Sequence, residues 1–306
     1  MRGVPVPTTT VADGLVAAAE EGRVCVLAAR GHRDLQQCAS MYPTLFPSPP
    51  VDGAMLGALA LSTAFIAPWC TAEQLRIANR TSLWVTAEDW MVDSVATSLD
   101  SVTAIATACI AVADGATPAA GDALGQFLAE IRDELAAVPA FADAQPLWRD
   151  EVDKMLTAEV VEWQWRAARA ADERQLPTFV EYLDNADNYG ASFVNVSHWL
   201  ATADEDTLSH LPELTAASRE VQKILRLVND MASYERDLKT GDLNALMLGV
   251  DKDEINRDVA ERIDKCRTLL QELEGSCAQE ARYLAREIGF TTGFYRGTDY
   301  WGTVER

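Results

Sequence analysis

Asn229, Ser233 and Asp237 stand at four-residue steps in the segment NDMASYERD. On a helix that spacing keeps all three on one face for two turns. An amide oxygen, a hydroxyl and a carboxylate in line are hard ligands. They suit one Mg²⁺ that keeps several waters and can also engage a diphosphate. A plain polar helix face is the alternative, with Ile224, Leu225, Leu227, Val228 and Met231 as its core side. Against it, Asn and Ser are mediocre helix-interior residues, and two of them in register with a carboxylate need another reason. Arg236 lies beside Asp237, where it can meet a phosphate oxygen, whereas Asp230 and Glu235 point elsewhere.

A second constellation lies upstream in TSLWVTAEDWMVD, Thr81–Asp93. Asp89 and Asp93 fall within ~40° of one helical face, with Glu88 one step round. Such a pair repels unless a cation sits between its members. Leu83, Trp84 and Val85 precede it, which places it at the rim of a cavity; a solvated acidic patch is the ordinary alternative for a charge run. His32, His198 and His210 are scattered and form no metal or triad pattern.

The elements that must position these residues read as helices. Leu124, Phe127, Leu128, Ile131 and Leu135 recur at three- and four-residue steps, and Val152–Ala171 and Ser218–Leu238 repeat the pattern. Thr71 with Gln74 fits a capping box. Loops are predicted at Pro43–Gly53, Asp114–Gly121 and Val138–Pro146. No hairpin signal, βαβ rhythm, repeat or low-complexity linker interrupts the chain. The expected fold is all-α, about ten helices in one domain over residues 1–306.

Charge narrows the partners. With 26 Lys+Arg against 47 Asp+Glu the formal net charge is −21, so a nucleic acid or an anionic membrane would be repelled. An anionic small molecule is still accessible through divalent cations. Cys25, Cys38, Cys70, Cys109, Cys266 and Cys277 show no CxxC pair and read as free thiols of a reducing compartment. Pro5, Pro7, Asp13 and Glu20 interrupt any N-terminal apolar stretch, so no signal peptide is expected. The longest apolar run, Val102–Ala113, is too short for a membrane span. A cytoplasmic protein is the expectation.

The run NDMASYERDLKTGDLNALML resembles the second metal motif of class I terpene synthases, (N/D)Dxx(S/T)xxx(E/D), with the trailing G-D-x-N here as Gly241, Asp242 and Asn244. The segment with Arg76 and Arg80 ahead of EDWMVD is similar to the family's aspartate-rich helix. FYRGTDYWGTVER (Phe294–Arg306) is similar to its C-terminal RG-x-x-x-W…RY element. The chain departs from the pattern in four places. Asp93 comes one residue late for DDxxD, and Asp237 replaces the commoner Glu. Ala186 and Asp187 stand where a diphosphate-sensing arginine would fall in EYLDNADNYGAS, and no Tyr follows Arg306.

The resemblance implies a helical bundle around a deep apolar cup that takes a prenyl diphosphate. Three Mg²⁺ would be held by Asp89 and Asp93 on one side and Asn229, Ser233 and Asp237 on the other. Arg236, Arg296 and Arg306 would close over the diphosphate, while Arg226 and Lys223 read as surface helix charges. Aromatic faces stabilise the carbocation by cation–π attraction, and Phe65, Trp69, Trp84, Tyr189, Phe193 and Trp301 are the candidates. Asn185 and Tyr189 flank a helix break that would face the cup. The absent sensor and the YLxNA-type stretch favour a C20 substrate, geranylgeranyl or copalyl-type diphosphate, over C15 farnesyl diphosphate. No DxDD appears, which speaks against protonation-initiated cyclisation. Rivals are a chain-elongating prenyl transferase, disfavoured by Asn229 and Ser233, and a non-catalytic acidic helical interaction protein; a homodimer is left open.

Overall fold

The computed structural model describes residues 11–48, 51–172, 174–202 and 204–302. Among them are twelve α-helices and no strand. In chain order these are α1 (Val11–Met41), α2 (Gly53–Ile66), α3 (Arg76–Trp90), α4 (Leu99–Ala113), α5 (Ala123–Ala136) and α6 (Phe141–Ala171). They continue with α7 (Phe179–Asp184), α8 (Ala191–Thr202), α9 (Glu205–Ser209), α10 (Leu211–Thr240), α11 (Lys252–Leu273) and α12 (Ala278–Phe294). No described helix is long and apolar enough to cross a membrane.

Local chemistry sets the helix starts. Asp52 accepts from the amides of Ala54 and Met55 and starts α2. Ser98 with Ser101, Thr178 with Glu181 and Asp251 with Glu254 close capping boxes on α4, α7 and α11. Each satisfies amides that a helix start otherwise leaves open. The Thr71–Gln74 box also forms, with bonds of 2.9 and 3.2 Å, and caps the turn that leads into α3. The loop expected over Val138–Pro146 is half helix, because α6 starts at Phe141 and carries Pro146 inside its second turn. Proline there removes one helical bond, and burial of Phe141 and Trp148 on either side offsets that loss.

Five helices form a closed ring. Helix α2 packs on α3, α3 on α8, α8 on α10, α10 on α12, and α12 back on α2. Helices α1, α4, α5, α6 and α11 pack outside it. Trp84 and Phe193, expected on the wall of the cup, lie instead in the core between ring and outer layer. They meet edge to face at 5.7 Å, and Phe193 meets Trp148 at 5.6 Å. Trp84 is fully buried and its indole N–H donates to the Leu124 carbonyl at 3.0 Å, so the ring's polar edge is satisfied away from the cavity. Burying each such ring contributes roughly 1.5–3 kcal/mol. That makes them scaffold for α3 and α8.

Candidate active site

Helix α10 carries Asn229 to a cavity inside the ring, with Ser233 and Asp237 buried one and two turns further on. Asn229 lines the cavity and hydrogen-bonds Tyr295. The Ser233 hydroxyl donates to Asp237 Oδ2 at 2.6 Å, and Asn244 Nδ2 donates to the same oxygen at 2.8 Å. Burial raises the Asp237 carboxyl, and these two donors partly restrain it. Gly241 ends the helix at φ +86°, a left-handed conformation that favours glycine, and this turns the chain so that Asn244 folds back on Asp237. Asp230 points off this face, as its register requires. It accepts from the Tyr182 hydroxyl at 3.0 Å and the Ala245 amide at 3.2 Å, clamping the loop after α10.

Asp89 on α3 lines the cavity opposite. Burial, and then repulsion from Asp242, push its carboxyl up to about 7. An acid so placed gains from a cation. Asp93, one turn on, is close enough that burial and then repulsion from Asp89 raise its own carboxyl. The helix widens into a π-turn at Met91–Val95, closed by the Ala96 amide on the Met91 carbonyl at 2.8 Å. A π-turn absorbs one extra residue, which is how the late position of Asp93 is accommodated. Its carboxylate pairs with Arg166 of α6, which also reaches Asp242 at 3.0 Å. Arg166 thus bridges the two acidic segments, a role with no signal in the sequence beyond its charge. Among the described residues no three His, Cys, Asp or Glu side chains already converge as a metal cage.

Of the expected arginines, Arg236 lines the cavity, 2.6 Å from Asp299 and 3.3 Å from Asp237. Arg296 is exposed and outside the cavity lining, and Arg306 lies outside the described residues. Arg226, read as a surface charge, is buried. It pairs with Glu162 at 2.5 Å, hydrogen-bonds Asn188 and stacks 4.1 Å over the Tyr182 ring. It ties α6, α7 and α10 together. Lys223 does pair near the surface, with the exposed Asp184 at 3.1 Å.

Tyr189 and Trp301 line the cavity. Phe65 and Trp69 do not: Phe65 packs on Phe290 at 6.0 Å, and Trp69 lies under Arg282 at 5.8 Å. Asn185 caps α7 and donates to the Ala158 carbonyl at 2.9 Å, also away from the wall. Gly190, at φ +76°, breaks the chain between Tyr189 and α8. A Cβ there would meet Val85 at 2.9 Å and Met155 at 3.0 Å, so glycine is required on both counts. Tyr283, Tyr295 and Tyr300 are the wall aromatics that sequence reading missed. Tyr283, Glu287, Thr291 and Tyr295 recur every four residues on α12, and that register was the available signal.

Burial of carboxyls sets the expected pH response of stability. Burial raises Glu151 and Asp230 to about 7 and Glu287 to about 8, from unfolded values of 3.8–4.5. Each therefore holds its proton more tightly when folded. Its contribution is complete below the unfolded value and is lost as pH rises through the folded one. The unfolding free energy of the metal-free protein is expected to fall, by an order of a few kcal/mol, between about pH 5 and pH 8. Urea titrations across that range check this; a flat or rising profile would contradict it.

Oxygen-bearing side chains on α3 and α10 beside a tyrosine-lined cavity can hold divalent cations and an anionic head, with an apolar tail inside. Comparisons with known proteins identify the family. A profile described as terpene synthase family 2, C-terminal metal binding, matches residues 81–275. The chain is 29% identical over 275 residues to ent-pimara-9(11),15-diene synthase of Streptomyces sp. strain KO-3988, covering 88% of this chain and 91% of that protein. In fold it is similar to linalool/nerolidol synthase from Streptomyces clavuligerus in complex with 2-fluorogeranyl diphosphate, with TM-score 0.65, 16% identity, and 89% and 94% of the two chains covered. It is also similar to 2-methylisoborneol synthase from Streptomyces coelicolor A3(2) in complex with Mg²⁺ and geranyl-S-thiolodiphosphate, with TM-score 0.66, 15% identity and 92% of each chain covered. The profile spans 195 of the 306 residues and contains both acidic constellations, so the chain belongs to this terpene synthase family, as a class I enzyme of the bacterial type.

Proposed function

We propose that the whole chain acts as one domain that ionises a C20 prenyl diphosphate, geranylgeranyl or copalyl-type, and cyclises the resulting cation. The observation that carries this is Asn229 and Asp89 lining one tyrosine-lined cavity, with Asp237, bonded to Ser233, close enough to repel Asp89. The C20 choice is supported by the similarity to a synthase of a pimaradiene.

The donor set fits Mg²⁺, being all oxygen, with Asp89 raised by its acidic neighbours and relieved by a cation. Asp89 and Asp93 would hold it from one side and Asn229, Ser233 and Asp237 from the other, with three ions expected. When bound, the ions neutralise charge that builds on the leaving diphosphate. Asn244 orients Asp237 through its 2.8 Å bond. Arg236 donates to the diphosphate oxygens once these displace Asp299. Tyr189, Tyr295, Tyr300 and Trp301 exclude water below the mouth and offer π faces to the cation.

The cavity measures about 240 Å³, below the roughly 300–1,000 Å³ common for ligand pockets. That favours the shorter C15 farnesyl diphosphate as the second reading. Incubation with C10, C15 and C20 linear and copalyl-type diphosphates, read by gas chromatography–mass spectrometry and diphosphate release, separates them. Mg²⁺-dependent release from a C20 substrate is expected. Turnover of farnesyl diphosphate alone would select the second reading, and no release from any would refute both.

A further inference from the structure

Glu287 is a carboxyl in a cavity lined, apart from Asp89, Asn229 and Arg236, by apolar, hydroxyl and aromatic groups. It sits on α12 with Tyr283, Thr291 and Tyr295 at four-residue steps, all lining the cavity. It is 6% exposed. Among the described residues its one hydrogen bond is from Asn195 Nδ2 to Oε2 at 2.9 Å, and no cation pairs with it. Oε1 is left to the cavity. Asn195 is itself held from behind by Ser218 at 2.9 Å, Ser218 by Ser192 at 3.1 Å, and the Ser192 amide by Gln222 at 2.9 Å. The carboxyl is thus fixed by a built network spanning α8, α10 and α12.

An unpaired buried carboxyl costs stability that an apolar residue would not. Depth gives it a task. Tyr295 meets Asn229 at the metal-binding end, and Glu287 lies eight residues below, about 12 Å along the helix axis. A diphosphate held at the mouth cannot reach a proton at that depth.

We propose that Glu287 takes the proton whose loss ends the carbocation cascade, a role that rests on the function proposed above. Ionised Oε1 removes a proton from a carbon next to the cationic centre. The C–H electron pair becomes the new C=C bond, the cation is neutralised, and Glu287 becomes a neutral acid. It returns the proton to water after the hydrocarbon leaves. Burial in the apolar wall raises this carboxyl to about 8. The acid formed therefore retains the transferred proton while product is bound, and the ionised fraction able to start the step grows as pH rises through about 8.

The test is Glu287→Gln, which keeps shape and the capacity to accept from Asn195 but removes the basic oxygen. Diphosphate release is expected within about threefold of wild type. Formation of the wild-type hydrocarbon is expected to fall about a hundredfold, with flux diverted to alcohols or to alkenes that lose a different proton. Glu287→Asp, which keeps the carboxylate, should restore part of the original product, and this rescue guards against misreading a folding defect. Unchanged products from Glu287→Gln, or a wild-type product that is an alcohol, would overturn the proposal while leaving the enzyme class intact. Absence of diphosphate release from the wild type would overturn both together.

Discussion

Asn229→Ala and Asp237→Ala are each expected to lower Mg²⁺-dependent diphosphate release by about three orders of magnitude, equivalent to about 4 kcal/mol of transition-state stabilisation. Each removes one oxygen donor from the face of α10 that carries the proposed ligands. Asp237→Glu should lose less, since the charge is kept, although its extra methylene must fit between Ser233 and Asn244. Ser233→Ala should be milder again, because a water can replace a neutral hydroxyl. Asp230→Asn separates ligation from folding. It disturbs the Tyr182 and Ala245 bonds that hold the loop after α10, so the melting temperature should drop while the folded fraction keeps more activity than Asn229→Ala. Helix content by circular dichroism and release kinetics with and without chelator check these outcomes. Activity that survives chelation, or a greater catalytic loss in Asp230→Asn, would refute the assignment.

Arg236→Ala is expected to slow release about a hundredfold, close to 3 kcal/mol, with weaker substrate binding. Its guanidinium lines the cavity and its present partners, Asp299 and Asp237, are carboxylates that a diphosphate would outcompete once cations are bound. Arg236→Lys should recover part of the loss, since the charge remains but the bidentate fork does not. Arg296→Ala is expected to fall less, because that side chain stands in solvent outside the cavity. Steady-state kcat and KM with diphosphate detection decide it; wild-type turnover in Arg236→Ala would remove Arg236 from the clamp.

How much of this was legible in the sequence depends on the range of the forces involved. Helix identity, the shared face of Asn229, Ser233 and Asp237, and the position of Asp230 off that face follow from local periodicity and capping, which act within a few residues. So does the break at Gly190, where a left-handed backbone calls for glycine. Asp93 was less legible. Its late spacing was plain, but the π-turn that takes it up is tied across 71 residues, where the Trp163 indole of α6 donates to the Val92 carbonyl at 3.3 Å.

Which aromatics face the cavity was decided by tertiary structure alone. Trp84 and Tyr189 are both large and apolar, and composition cannot tell a helix face turned inward from one turned outward when both faces are buried. In a two-layer helical shell the ring helices are covered on both sides, so Trp84 and Phe193 went to the layer interface and Tyr189 to the cup. Arg226 was misread for the same reason, since its partner Glu162 is 64 residues away on α6. Glu287 met Asn195 across 92 residues. The sequence by itself determined the helices, the shared face of Asn229, Ser233 and Asp237, and the family. Only packing between distant helices determined which side chains share the cavity, because burial and ion pairing act through space and not along the chain.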